Sequence, residues 1–262
     1  NLDQINDIGP ANITAASEAN DAILNVGEYD GSAFDFSALA LEGIDTGSVT
    51  FAESDTPVVV DAGTDFTGVG SIEIPADTAV SMTAEQFMQF AERDANGNVT
   101  SSPDVTGDGT LNITGLTQAI VDDGFSLDNL GNPSGNVNAG QITLAEDVVL
   151  DDNVAHTGQP TELGNASIEL ADSQTINFAT VGQASARGVT VANGATNTTV
   201  EFDFATSNDG LASTGFDIDN DGTIGSVTDP DAVNDGVTPA DEENAVDTSN
   251  FSGDLTTLRV KS

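Results

Sequence analysis

Val49-Thr50-Phe51-Ala52-Glu53 decides the fold, because the same short phrase returns along the chain. Two apolar residues flank a polar one, a small residue follows, and an acid or amide usually closes the unit. The phrase stands earlier as Leu24-Asn25-Val26-Gly27-Glu28 and, more loosely, next as Ile72-Glu73-Ile74-Pro75-Ala76. Ile142-Thr143-Leu144-Ala145-Glu146, Ile168-Glu169-Leu170-Ala171-Asp172 and Val189-Thr190-Val191-Ala192-Asn193 continue it. Successive copies start 25, 23, 70, 26 and 21 residues apart, and the 70 is close to three shorter steps. Side chains leave a strand alternately on its two faces, so this period of two reads as β-structure. Second strands are expected at Val58-Val59-Val60, Val148-Val149-Leu150, Thr175-Ile176-Asn177-Phe178 and Thr199-Val200-Glu201-Phe202. A unit this short cannot bury a face alone and must stack on its neighbours. The expectation is a mainly β protein, a β-solenoid-like stack of degenerate 21–26-residue repeats. A β-sandwich is the alternative, since Val-Thr-Val alternation suits its strands equally.

Two tracts break the pattern and set the expected organisation: β-repeats over 1–81 and 141–204, a partly helical insertion over 82–140, and an Asp-rich region with a C-terminal strand over 205–262. In the insertion, Met82-Thr83-Ala84-Glu85-Gln86-Phe87-Met88-Gln89-Phe90-Ala91-Glu92-Arg93 has apolar residues at helical spacing. Thr83 suits the N-cap, with Gln86 three residues on. A shorter helix is expected over Leu116–Val121. The last strand is expected at Leu255-Thr256-Thr257-Leu258-Arg259-Val260.

Charge narrows the function. The 262 residues carry 44 Asp and Glu against 4 Lys and Arg, a formal charge of -40. A nucleic-acid partner needs basic residues to neutralise its phosphates, and anionic membrane surfaces attract the same residues. Neither partner suits this chain, and no apolar run is long enough to span a bilayer. With no Cys, disulfides and thiolate zinc sites are excluded. Folding such a chain crowds carboxylates together, and bound divalent cations or high salt would relieve the repulsion. Asp lies mostly in turns beside Gly and Asn, which favours localised cation sites. The lack of Cys and near-lack of Lys fit an extracellular or cell-surface protein. A start at Asn1 without Met fits a processed chain or a piece of a longer one.

The candidate metal ligands follow from oxygen spacing. In Asp217-Ile218-Asp219-Asn220-Asp221-Gly222-Thr223-Ile224, oxygens at alternate positions precede a Gly turn and an apolar anchor. That arrangement lets a loop wrap a hard cation such as Ca2+. Asp217, Asp219, Asp221 and Thr223 are the candidate ligands. Asp229 stands one residue beyond the place of an EF-type closing acid. Asp104-Val105-Thr106-Gly107-Asp108-Gly109-Thr110-Leu111-Asn112 resembles the calcium loop of dockerin modules, with Leu111 as anchor and a helix candidate behind it. The resemblance makes Asp104, Thr106, Asp108, Thr110 and Asn112 candidate ligands. Thr106 replaces the usual amide, and Gly115 stands where an acid normally closes the loop. Asp94, Asn96 and Asn98 repeat the spacing more weakly, where an Asx turn is the plainer reading.

As a whole the chain looks like bacterial surface-layer proteins and large repetitive calcium-binding adhesin or matrix proteins. The likeness rests on Leu41-Glu42-Gly43-Ile44 to Phe51, on Phe66-Thr67-Gly68-Val69 to Ile74, and on Met82-Thr83-Ala84-Glu85-Gln86-Phe87. It implies export and calcium-dependent assembly with copies of itself into a surface layer, filament or matrix. A glycan- or surface-binding adhesin module, with a cell-surface glycan as partner, is the second reading. A polysaccharide-acting enzyme is the third. Four basic residues, none inside an Asp motif, and a lone His156 in a turn offer little acid–base chemistry, so no catalytic residue is assigned.

Overall fold

Strand β2 (Ile44–Phe51) turns the alternation of Val49-Thr50-Phe51 into burial: Val49 and Phe51 are buried, while Thr50 stays partly exposed. The computed structural model describes residues 22–40, 44–127, 130–135, 137–150, 163, 166–178, 188–203 and 257–261. The chain divides into two compact units, Asn1–Leu116 with Leu127–Gln141, and Thr117–Ser126 with Ile142–Ser262.

In the first unit, five strands form one sheet in the order β1 (Ala22–Tyr29), β2, β4 (Val69–Ile74), β8 (Asp104–Gly107), β10 (Leu130–Gly135). All four pairings are parallel. Their register puts one residue of each repeat in one column: Val26 beside Val49, Val49 beside Ile72, Ile72 beside Val105, Val105 beside Leu130. The first four of these are 2 % exposed or less. The stacking is apolar because parallel in-register strands repeat the same face, so like meets like at every step. A second parallel ladder joins β3 (Val58–Val59), β5 (Ala79–Thr83) and β9 (Thr110–Leu116), with Val58, Val80 and Leu111 in its buried column.

The same grammar governs the second unit. β13 (Ser167–Leu170) pairs in parallel with β15 (Gly188–Val191). A four-stranded parallel sheet runs β12 (Val148–Leu150), β14 (Thr175–Phe178), β16 (Thr199–Asp203), β17 (Thr257–Lys261). Val148, Ile176 and Val200 are its buried column. The chain is thus mainly β, with parallel sheets. A β-sandwich is built from antiparallel sheets, and these ladders weigh against it.

Helices are few and short: α1 (Ser37–Ala40), α2 (Ala84–Met88) and α3 (Gln118–Asp122). The capping box is present at α2, where the Thr83 hydroxyl accepts from Gln86 N at 3.1 Å and Gln86 Oε1 accepts from Thr83 N at 3.1 Å. The helix stops well short of the expected Met82–Arg93. Met82 belongs to β5 beside Ile113, and Glu92–Arg93 forms β6, the first strand of an antiparallel hairpin with β7 (Val99–Ser101). Tertiary pairing has overridden the helical spacing at both ends. Likewise Leu116 closes β9, and Thr117 caps the α3 helix, which begins at Gln118, two residues later than expected. Between positions 82 and 140 the parallel ladders continue through β8, β9 and β10, so the helical departure is confined to short segments.

Beneath the start of the first unit lies an aromatic cluster. Phe36 stacks on Phe66 with ring centroids 5.5 Å apart, and Tyr29 meets Phe51 at 5.2 Å. Phe90 bridges Phe66 and Phe87 at 5.7 and 5.5 Å. Burying each of these rings contributes roughly 2–3 kcal/mol before entropy is counted.

Candidate metal centres and ladder faces

The stretch Asp104–Asn112 is built as two strands joined by the two-residue turn Asp108-Gly109. Both turn amides donate to the Ile74 carbonyl at 3.1 Å, and Thr110 N donates to Thr78 O at 2.9 Å. Gly107 has a φ of +101°, and a Cβ there would stand 2.1 Å from the Ile74 oxygen. The Gly-Asp-Gly run is therefore required by close approach to the preceding repeat, a role separate from ligand wrapping. Asp104 and Thr106 fall on the solvent-side positions of β8, in one sheet, and Thr110 and Asn112 on those of β9, in another. Asp108 is exposed in the turn. Thr106 Oγ1 donates to Ile72 O at 3.3 Å, and Asn112 Oδ1 accepts from Gln141 N at 2.9 Å. Asp104 has a different neighbour, Glu92 of the β6–β7 hairpin. Burial first, and then the Glu92 charge, push its carboxyl above the usual carboxylate range.

Asp94, Asn96 and Asn98 do come together, at the tip of the β6–β7 hairpin. Asp94 Oδ1 accepts from the amides of Asn96 and Asn98 at 2.8 and 2.9 Å. Its Oδ2 accepts from the side-chain amide of Asn98 at 3.0 Å. Those bonds hold the Asp94 carboxyl below its ordinary range, the backbone amide of Asn98 contributing most. This is an Asx turn whose donors already serve the carboxylate. Asp217, Asp219, Asp221, Thr223 and Asp229 lie outside the described residues. Among the described residues, no three His, Cys, Asp or Glu side chains converge to hold a metal ion. Also among them, no helix is long and apolar enough to cross a membrane.

Polar side chains on the ladders bond from one repeat to the next. Ser48 donates through N and Oγ to Asn25 Oδ1 at 3.1 and 3.2 Å, and Thr50 Oγ1 donates to Glu73 Oε2 at 2.9 Å. In the second unit, Thr196 donates through N and Oγ1 to Asp172 Oδ1 at 2.8 and 2.7 Å. Thr175 N donates to Asp147 Oδ1 at 2.7 Å, and Asn177 Nδ2 to Glu201 Oε1 at 3.0 Å. Sequence reasoning did not reach Glu92, Glu73 or Asp172 as partners. For Glu73 and Asp172 the signal was a step of 23 or 24 residues between donor and acceptor, legible only once the register is known.

Compared with family models, with curated proteins and with solved structures, the chain matches none.

Proposed function

We propose that the protein is a structural subunit of a calcium-dependent extracellular assembly, each of its units being a β-solenoid of stacked repeats. One observation carries the reading: polar side chains on the ladders are engaged with the next repeat, as in Asn25–Ser48, Thr50–Glu73 and Asp172–Thr196. Bonds of this kind tie one repeat to the next, which suits a scaffold. A parallel stack also ends in strands with an edge to offer, and edges pair with a neighbour unless blocked. Lys, a common edge blocker, occurs once. At a formal charge of -40 per copy, neighbours repel until cations intervene. Calcium held at Asp217–Asp229, or near the Asp104–Glu92 pair, would then act as the assembly switch.

The test is a calcium titration followed by melting, light scattering and electron microscopy. Sheets or fibres that form with calcium and dissolve on chelation support the proposal. A chain that stays monomeric at high concentration with calcium, and cleaves a polysaccharide, refutes it in favour of an enzyme. Calcium-independent retention on a glycan surface without self-assembly would favour the adhesin reading.

A further inference from the structure

Two of the four basic residues in the chain lie in one short strand, β17, and both are matched to acids. The parallel register sets Arg259 beside Glu201 and Lys261 beside Asp203. The apolar positions between them, Val260 and Phe202, are also partners. Acid-apolar-acid on β16 thus meets base-apolar-base on β17. Among the described strands, β16 is the one with acids at two alternate positions. The Glu201 side chain is 5 % exposed and accepts from Asn177 Nδ2 of the strand on its other side. A buried carboxylate is costly without a counter-charge, so β16 discriminates strongly between a basic strand and any other. A slip of one residue would set Glu201 beside an apolar position and exchange the faces.

The link between the two strands is long. β16 ends at Asp203 and β17 begins at Thr257, so residues 204–256 join them. Fifty-three residues can reach well over 100 Å when extended, whereas neighbouring strands lie about 4.8 Å apart. The connection therefore sets no requirement that β17 return to its own chain.

We propose that β17 is a charge-coded joining strand, donated by one copy of this chain to β16 of a second copy. This deepens the proposed assembly by naming the segment that links subunits. The backbone pairing and the register of acids beside bases found within one chain can be reproduced between two, so exchange sacrifices no pairing and concentration sets the balance. Since every other described strand lacks the alternate acids, β16 is the destination among the described strands. The partner is a second copy, not a foreign peptide, because the basic strand and its acidic acceptor are both encoded here.

The chain's single lysine makes the native protein its own reporter. Heavy-isotope and ordinary chains would be mixed, assembled with calcium, and treated with a carbodiimide, which couples a carboxylate to Lys261. Cross-linked peptides joining Lys261 to Asp203 or Glu201 are then read by mass spectrometry. Exchange predicts that about half of them combine one heavy and one ordinary chain, as random pairing requires. In full-length chain carrying Arg259→Glu, which keeps the reporter lysine, the mixed product should fall roughly tenfold or more, through like-charge juxtaposition at Glu201. Glu201→Lys in the partner population should restore it. Assemblies visible by microscopy whose Lys261 cross-links are all within one isotope class would overturn the inference and leave the assembly reading standing. Mixed cross-links in a sample that never grows beyond dimers would support exchange while defeating the larger assembly.

Discussion

Gly107→Ala tests whether the Asp104–Asn112 stretch is a packed turn between repeats. The substitution adds one methyl group at a residue with φ of +101°, and that methyl would sit 2.1 Å from Ile74 O and 2.8 Å from Ile74 C. Left-handed backbone costs an L-residue roughly 1–2 kcal/mol. Overpacking against a fixed backbone adds about 1–3 kcal/mol. The sum is about 2–5 kcal/mol, and near 3 kcal/mol a chain of this size should melt roughly 6–12 °C lower. Gly97→Ala separates the two contributions, because Gly97 has a φ of +88° with nothing within 4 Å of the added carbon. It should cost only the backbone share, near 1–2 kcal/mol. Both variants would be melted by circular dichroism with and without calcium. The structure requires Gly107→Ala to be the more damaging in both buffers, by about the steric share. Equal effects, or a Gly107→Ala penalty that appears only with calcium, would refute the packed turn and return the stretch to ligand wrapping.

Three further outcomes are expected. Tyr29 is the one tyrosine in the chain, fully buried, with its hydroxyl donating to Ser32 O at 2.8 Å, and burial pushes its pKa up to about 12. The unfolded phenol ionises near 10, so stability from this group is intact below pH 10 and declines between 10 and 12, by up to about 3 kcal/mol; tyrosinate absorbance should rise with unfolding, and Tyr29→Phe should remove the alkaline transition. Asp172→Ala should lower the melting point at neutral pH, because the carboxylate accepting from Thr196 N and Oγ1 is lost. Those bonds depress the Asp172 pKa, so native stability from this group is present above the ordinary carboxylate range and lost below it; the native–variant difference should shrink in acid, and a difference that grows would contradict the cap. Chelation in low salt should lower the melting point, Asp219→Ala should weaken the calcium-dependent gain, and Glu53→Ala, at an exposed acid outside the Asp-rich motifs, should not; equal rescue by molar potassium chloride would point to general screening.

Much of the fold was legible because parallel stacking preserves the alternation that specifies each strand. Leu24–Glu28, Val49–Phe51, Ile72–Ile74, Ile142–Leu144, Ile168–Leu170 and Val189–Val191 all fall within strands. So do Val148–Leu150, Thr175–Phe178 and Thr199–Phe202, while of the expected Val58–Val60 the strand holds Val58–Val59. Of the strands that escaped notice, β5 and β9 alternate apolar and polar residues as the repeats do, whereas β8 and β10 carry polar or turn-forming residues. β8 holds Asp104-Val105-Thr106-Gly107, with one apolar residue to signal it, and β10 holds Leu130-Gly131-Asn132-Pro133-Ser134-Gly135. In both, the ladder on the preceding repeat supplies the pairing, and a partner strand is invisible to local spacing. The helix over 84–88 was read through its capping box, which is local chemistry, while its length depended on Met82 and Glu92 joining ladders, which is not.

The acids in the turns show why the candidate site was harder to read than the fold. Asp beside Gly and Asn suggests cation ligands, yet the same spacing lets a carboxylate receive backbone amides two residues on. Asp30 accepts from Ser32 N at 2.9 Å, Asp61 from Gly63 N at 2.8 Å and Asp65 from Thr67 N at 2.9 Å. Asp147 and Asp172 do the same across repeats, to Thr175 and Thr196. At Asp30 and Asp172 these bonds hold the carboxyl below its ordinary range, so at those two turns the cap favours the charged form. Those caps satisfy amides without cancelling charge. The residual repulsion is then borne by the whole molecule, and screening by cations would relieve it even where no single loop encloses one.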